Sequence, residues 1–149
     1  MSDIQINVLT EILKIINDSN FKETLVEMVL KRLESFSYSV KENDSWTIAF
    51  SIQKVENHIK NTCNVASIPE GLYEVFVDMV CGEVLYSQKQ CGKLDETFNL
   101  EQAITKVKAG DTDVTLSTDG TPEQRLNAFI NYLINAREGE LICYRKIRW

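Results

Sequence analysis

The most constraining stretch runs from Asp44 to Gly92, DSWTIAFSIQKVENHIKNTCNVASIPEGLYEVFVDMVCGEVLYSQKQCG. Its first half places Ile48, Ile52, Val55 and Ile59 at steps of four, three and four, one stripe of a 3.6-residue helix. Its second half repeats the rule with Leu72, Val75, Phe76, Met79, Val80 and Val84. Between them stands Ile68-Pro69. A residue before proline is pushed out of the helical region, and proline suits the first turn of the next helix. Cys91-Gly92 reads as the end of the second helix, with glycine as a left-handed stop. Two helices joined by a stiff elbow are therefore expected, their stripes facing each other.

The flanks read less strongly. Ile4 to Ile16 and Phe21 to Phe36 are each amphipathic, separated by the turn-forming run Asn17-Asp18-Ser19-Asn20. Ser37 to Asn43 is polar, with Tyr38 and Val40 in alternation, and reads as a brief strand or a loop. Asn99-Leu-Glu-Gln can open a short helix through Leu100, Ala103, Ile104 and Val107, with Asn99 as cap and Gln102 reaching back. Thr112, Val114, Leu116 and Thr118 alternate as a strand does. A hairpin over about 104–117 competes with the short helix, and the pattern leaves both open. Thr121-Pro-Glu-Gln is the clearest local signal. Thr121 caps, Pro122 takes the first helical position, and Gln124 closes the box. Leu126, Phe129, Ile130, Leu133 and Ile134 follow on a helix expected to end near Gly139. The last ten residues, ELICYRKIRW, look β-like. The fold class is thus mainly α: a small helical bundle with a short β segment near 104–117 and an extended C-terminal tail. One domain is expected over residues 1–149, divided into an N-terminal helix pair (1–43), a core (44–139) and the tail (140–149).

Charge and cysteine usage narrow the function. The net charge of −6 disfavours a broad nucleic-acid grip, which needs clustered Lys and Arg. No apolar run is long enough for a membrane span, and MSDIQINVL lacks the basic start of a secretion signal. Cys63, Cys81, Cys91 and Cys143 are separated by 18, 10 and 52 residues, so none forms a local zinc claw. They read as reduced thiols with structural roles. The sole histidine, His58, lies five residues before Cys63, an offset that gives no dyad. It reads as a surface or interface side chain. Glu74, Asp78 and Glu83 share a helix without a visible acid–base environment. Gly110-Asp111-Thr112 has no following Lys-Ser/Thr and is no phosphate loop. No cofactor, metal or catalytic residue is expected. The chain reads as a building part, not an enzyme.

The tail stands apart. It is aromatic and basic on an otherwise acidic chain. Either it packs on its own domain as a last strand, or it docks on a neighbour with Tyr144 and Trp149 as anchors.

Three stretches, VENHIKNTCNVASIPEGLYEVFVDMVCGEVLY, ITKVKAGDTDVTL and the closing YRKIRW, resemble the head–tail connector (adaptor) proteins of tailed bacteriophages and related prophages. The resemblance spans roughly Trp46 to Trp149. It implies a subunit of a homo-oligomeric ring, usually of twelve, beneath the portal vertex in the virion neck, made in the host cytoplasm. Such a ring continues the DNA channel and receives a stopper or tail-completion protein. It also implies that the tail, Tyr144, Arg145, Lys146, Ile147, Arg148 and Trp149, contacts the portal protein. The segment from Ala103 to Ser117 is then the candidate for meeting the adjacent subunit, through Ile104, Val107, Gly110, Asp111, Val114 and Leu116. Twelve chains at −6 would carry roughly −72, a field that repels DNA and suits a slippery conduit. The rival expectation is a helical regulatory or scaffolding protein that binds a partner as monomer or dimer.

Overall fold

The computed structural model describes residues 2–94, 98–110 and 120–147. Over these residues the chain is mainly helical. Helices α1 (Asp3–Ile16), α2 (Glu23–Ser35), α3 (Ser45–Cys63), α4 (Tyr73–Gln90), α5 (Leu100–Gly110) and α6 (Pro122–Asn135) are joined by turns and short 3-10 segments.

Their ends follow from local chemistry. Ser2 caps α1 in a reciprocal box, Ser2 N–H donating to Gln5 Oε1 and Gln5 N–H to Ser2 Oγ, both at 3.3 Å. Asn17 closes α1 in the left-handed region (φ 46°), its N–H donating to Leu13 O. Asn64 closes α3 in the same way (φ 57°). Gly92 follows α4 at φ +69°, as the sequence pattern requires. At α6, Thr121 and Gln124 form the reciprocal box and Pro122 opens the helix.

α4 is the centre of the molecule. It packs against α2, α3 and α6 and is buried over most of its surface, with Glu74, Tyr86 and Gln90 left exposed. Besides its stripe of Val75, Phe76, Met79, Val80 and Val84, it buries Val77, Cys81, Gly82, Leu85 and Gln88. Ile48, Ile52, Val55 and Ile59 of α3 are buried in the same core. α2 and α6 meet across it through Phe36 and Phe129, whose rings stand edge to face at 5.4 Å. Where α4 crosses α6 there is no room for a side chain. A Cβ on Gly82 would lie 2.7 Å from Ile134 Cγ1 and 2.9 Å from Leu133 Cβ.

A buried polar knot locks one end of the α3–α4 pair. Tyr38 Oη donates to Asp44 Oδ2 at 2.8 Å, and Gln88 Nε2 donates to Asp44 Oδ1 at 2.8 Å. The Lys41 N–H adds a third donor at 2.9 Å. Each lone pair so satisfied avoids the desolvation cost of an unpaired buried carboxylate.

The segment from Ser37, read as a brief strand or a loop, takes the loop alternative: Tyr38 turns inward to the knot, and the chain leads into a 3-10 turn, Glu42–Asp44. Four expectations are corrected. Pro69 precedes a separate 3-10 turn, Glu70–Leu72, before α4 begins. Ile104 and Val107 lie on α5, so no hairpin begins at 104. The alternating residues Thr112, Val114, Leu116 and Thr118 fall outside the described residues, and among those described there is no strand. α6 stops at Asn135, and the first part of the tail read as β-like, residues 140–144, belongs to a 3-10 helix, Glu138–Tyr144.

Replacing Gly82 with alanine tests the α4–α6 crossing. Helix propensity alone would favour alanine by about 1 kcal/mol. The overpacking against Leu133 and Ile134 costs about 1–3 kcal/mol. Chemical denaturation should therefore show Gly82→Ala less stable than wild type. A more stable variant would mean that the crossing is loose.

Candidate functional site

The two stretches that mark this chain most, the elbow after α3 and the tail, are brought together in space. α3 ends at Cys63, and Asn64 turns the chain toward Ile68-Pro69. The tail returns to that corner. Leu141 is fully buried beside it, and the Cys63 thiol donates to Leu141 O at 3.3 Å. Beyond the 3-10 helix, Arg145 enters an extended conformation. The Lys146 N–H then donates to Cys63 O at 2.7 Å. Asn64 Nδ2 donates back to Lys146 O at 3.0 Å. These bonds satisfy backbone groups that a helix end leaves open. They also explain why the β-like pattern forms no strand: its partner is a helix terminus.

Tyr144 seats over the elbow. A Cβ at Gly71 would come within 1.9 Å of its hydroxyl, so the bare glycine makes the close approach possible. What remains outward is apolar and basic. Ile142 is 69 % exposed and Ile147 75 %, with Tyr144 40 % exposed. Arg145 and Lys146 are exposed between them. Arg148 and Trp149 lie outside the described residues. The tail therefore packs on its own domain through its backbone and Leu141, while several of its side chains face away.

The other candidate residues fall elsewhere. Ile104 and Val107 are 6 % and 3 % exposed and serve the chain's own core, because the apolar face of α5 lies against it. They present no surface to a neighbour. Gly110 ends α5, and Asp111, Val114 and Leu116 lie outside the described residues. His58 is a surface side chain, its Nε2 at 2.5 Å from Glu138 Oε1. Among the described residues no three His, Cys, Asp or Glu side chains converge as a metal-ligand set, and no helix is long and apolar enough to cross a membrane.

Asp78 has an environment that sequence reasoning did not find. It lines a cleft of about 510 Å³ with Met28, Arg32, Glu74, Val107 and Arg137. Arg32 Nε donates to Asp78 Oδ1 at 3.1 Å, and Arg137 Nη1 stands 3.8 Å from Oδ2. Both arginines come from distant segments, 46 residues before and 59 after, so no local motif announced them. Burial pushes the Asp78 carboxyl above its ordinary 3.8, against the pull of Arg32 and then Arg137. The residue joins α2, α4 and the segment after α6.

The four cysteines split into two pairs. Cys63 and Cys81 are buried, and burial pushes both thiols upward, Cys81 well above the ordinary value. Cys91 and Cys143 are exposed, which corrects a uniformly structural reading.

Comparison with protein-family models, with curated proteins and with solved structures returns no match.

Two outcomes test this geometry. A thiol reagent at pH 8 should label Cys91 and Cys143 in the folded protein and all four cysteines only after denaturation, as peptide mapping would show. Prompt labelling of Cys63 would mean that the tail does not cover it. For Asp78 the sign is set by its raised carboxyl. The unfolded chain ionises first as pH rises, so ionisation at this site weakens the fold as pH climbs past the ordinary value. Relative to Asp78→Asn, wild type should therefore gain stability between pH 7 and pH 4. A loss over that range would contradict the burial argument.

Proposed function

We propose that this chain is a head–tail connector subunit of a tailed bacteriophage: a structural, non-catalytic part that forms a ring beneath the portal, lengthens the DNA channel, and offers a docking surface to a stopper or tail-completion protein. The observation that carries the reading is the joining of elbow and tail into one surface. The stretches that resemble connectors in sequence, CNVASIP and YRKIRW, are far apart in the chain, yet Asn64 of the first and Lys146 of the second, 82 residues on, are hydrogen-bonded, as are Cys63 and Lys146, at a single corner of the fold.

That corner has the character of a docking face. Exposed Ile142, Tyr144 and Ile147 supply apolar area, and Arg145 and Lys146 supply charge on a chain of net −6. Aromatic and arginine side chains are where binding energy concentrates. With Arg148 and Trp149 following, Tyr144 to Trp149 form the portal contact. The segment that follows Gly110, with Asp111, Val114 and Leu116, is kept as the candidate contact with an adjacent subunit. The ring's acidic charge lets DNA pass without sequence-specific binding.

The test is light scattering after size exclusion, with the chain mixed with its portal ring. Wild type should co-elute with the portal. A chain lacking Ile142 to Trp149 keeps Leu141 and should retain its helical circular dichroism, but should not co-elute. Equal docking of the shortened chain would remove the tail from the contact. Failure of the wild type to bind would leave the regulatory or scaffolding reading in its place.

A further inference from the structure

The cleft beside Asp78 holds hydrogen-bond donors that its own carboxylates do not use. Met28, Lys31 and Arg32 form its α2 wall, the helical spacing i, i+3, i+4 that puts three side chains on one face. Glu74, Val77 and Asp78 repeat that spacing on the α4 wall. Val107 of α5 and Arg137, beyond α6, close it.

The Arg32 guanidinium is fixed by two contacts. Its Nε donates to Asp78 Oδ1 at 3.1 Å, and its Cζ lies 4.6 Å from the centre of the Phe36 ring. Its two Nη atoms meet no acceptor among the described residues. Lys31 beside it is exposed and makes no ion pair among those residues. Arg137 differs. Glu140 takes its Nε at 2.5 Å and its Nη2 at 3.2 Å, and Nη1 faces Asp78 at 3.8 Å. The uncommitted donors are therefore neighbours on the α2 wall.

We propose that this cleft binds a small organic monocarboxylate. Its two oxygens take the Nη edge of Arg32, with Lys31 alongside, and its apolar body lies on Met28, Val77 and Val107. Three observations select that class. A planar guanidinium fork matches a carboxylate in two parallel bonds, and a fork already held in place loses little freedom on binding. The side chains of Arg32 and Asp78 are only 30 % and 15 % exposed, so water competes less for the fork than at an open surface. Glu74 and Asp78 on the facing wall repel a doubly charged phosphate more than a singly charged acid. The volume of about 510 Å³ suits a small molecule, and the apolar walls with a few polar groups are what such sites carry. The inference stands apart from the connector reading, and neither needs the other.

NMR of the methionine methyl groups in the intact chain tests it, with 3-phenylpropanoate as probe. The Met28 methyl should shift and saturate as the acid is added, while that of Met79, which lies outside the cleft, stays in place. 2-Phenylethylammonium, a similar body with the opposite charge, should produce no saturable shift. Phenyl phosphate should bind several-fold more weakly than the acid. Arg32→Lys keeps the charge and loses the fork, and should weaken the acid about tenfold or more. Lys31→Gln, at an exposed site, should keep its helical circular dichroism and weaken the acid several-fold. Lys14→Gln makes the same change of charge on α1 and should leave binding as it is. An unmoved Met28 methyl, equal binding of the ammonium, or tighter binding of the phosphate would overturn the proposal. So would full binding by Lys31→Gln, or an equal loss in Lys14→Gln, which would reduce the effect to net charge.

Discussion

Everything in this fold depends on one helix being wrapped on most of its sides. α2, α3 and α6 each take a face of α4, and a narrow strip with Tyr86 and Gln90 near its end stays exposed. A helix so largely covered loses most of the amphipathic signature of a surface helix and becomes the axis of its domain. Its burial fixes the others. Gly82 sets how near α6 may come, Asp78 gathers Arg32 and Arg137, and Gln88 reaches the Asp44–Tyr38 knot. Apolar contact supplies most of the driving force, and the polar links supply register. The knot in particular holds the start of α3 against the end of α4, so the pair cannot slide along its apolar seam.

That arrangement also makes the two ends of the α3–α4 pair different. At one end the chain must turn from α3 into α4, and the elbow exposes the last carbonyls of α3. The tail binds there, and Lys146 occupies the Cys63 carbonyl. Toward the other end, no element among the described residues covers the outer face of α3, and Trp46 and Phe50 are exposed. On the proposed connector reading, the basic, apolar corner is the part of the subunit that meets an unlike neighbour.

Much of this was legible in the residues, and the exceptions have physical causes. The stripes of α3 and α4, the Ile68-Pro69 break and the Thr121 box are local signals, written within a turn or two of helix. They appear in the structure with small shifts of boundary. The second buried face of α4, Val77, Cys81 and Leu85, was not legible as such, because what covers it comes from α2 and α6 far away in the chain. The same holds for Arg32 and Arg137 around Asp78. Tail residues 140–144 misled because their apolar run, ELICY, packs Leu141 against the end of α3 in a 3-10 helix, a partner that lies far away in the chain. Ile104 and Val107 were read as a place for a neighbour, yet their helical spacing already marked a face that the domain's own core could take. Trp46 and Phe50, by contrast, stood off the α3 stripe in plain view.

The central proposal is that the elbow–tail corner faces a portal. Electron cryomicroscopy of a portal ring incubated with this chain measures this directly. The account predicts a ring of subunits below the portal, with Tyr144 to Trp149 against it. A portal that stays bare, or a bound ring with this corner turned away from it, would contradict the account.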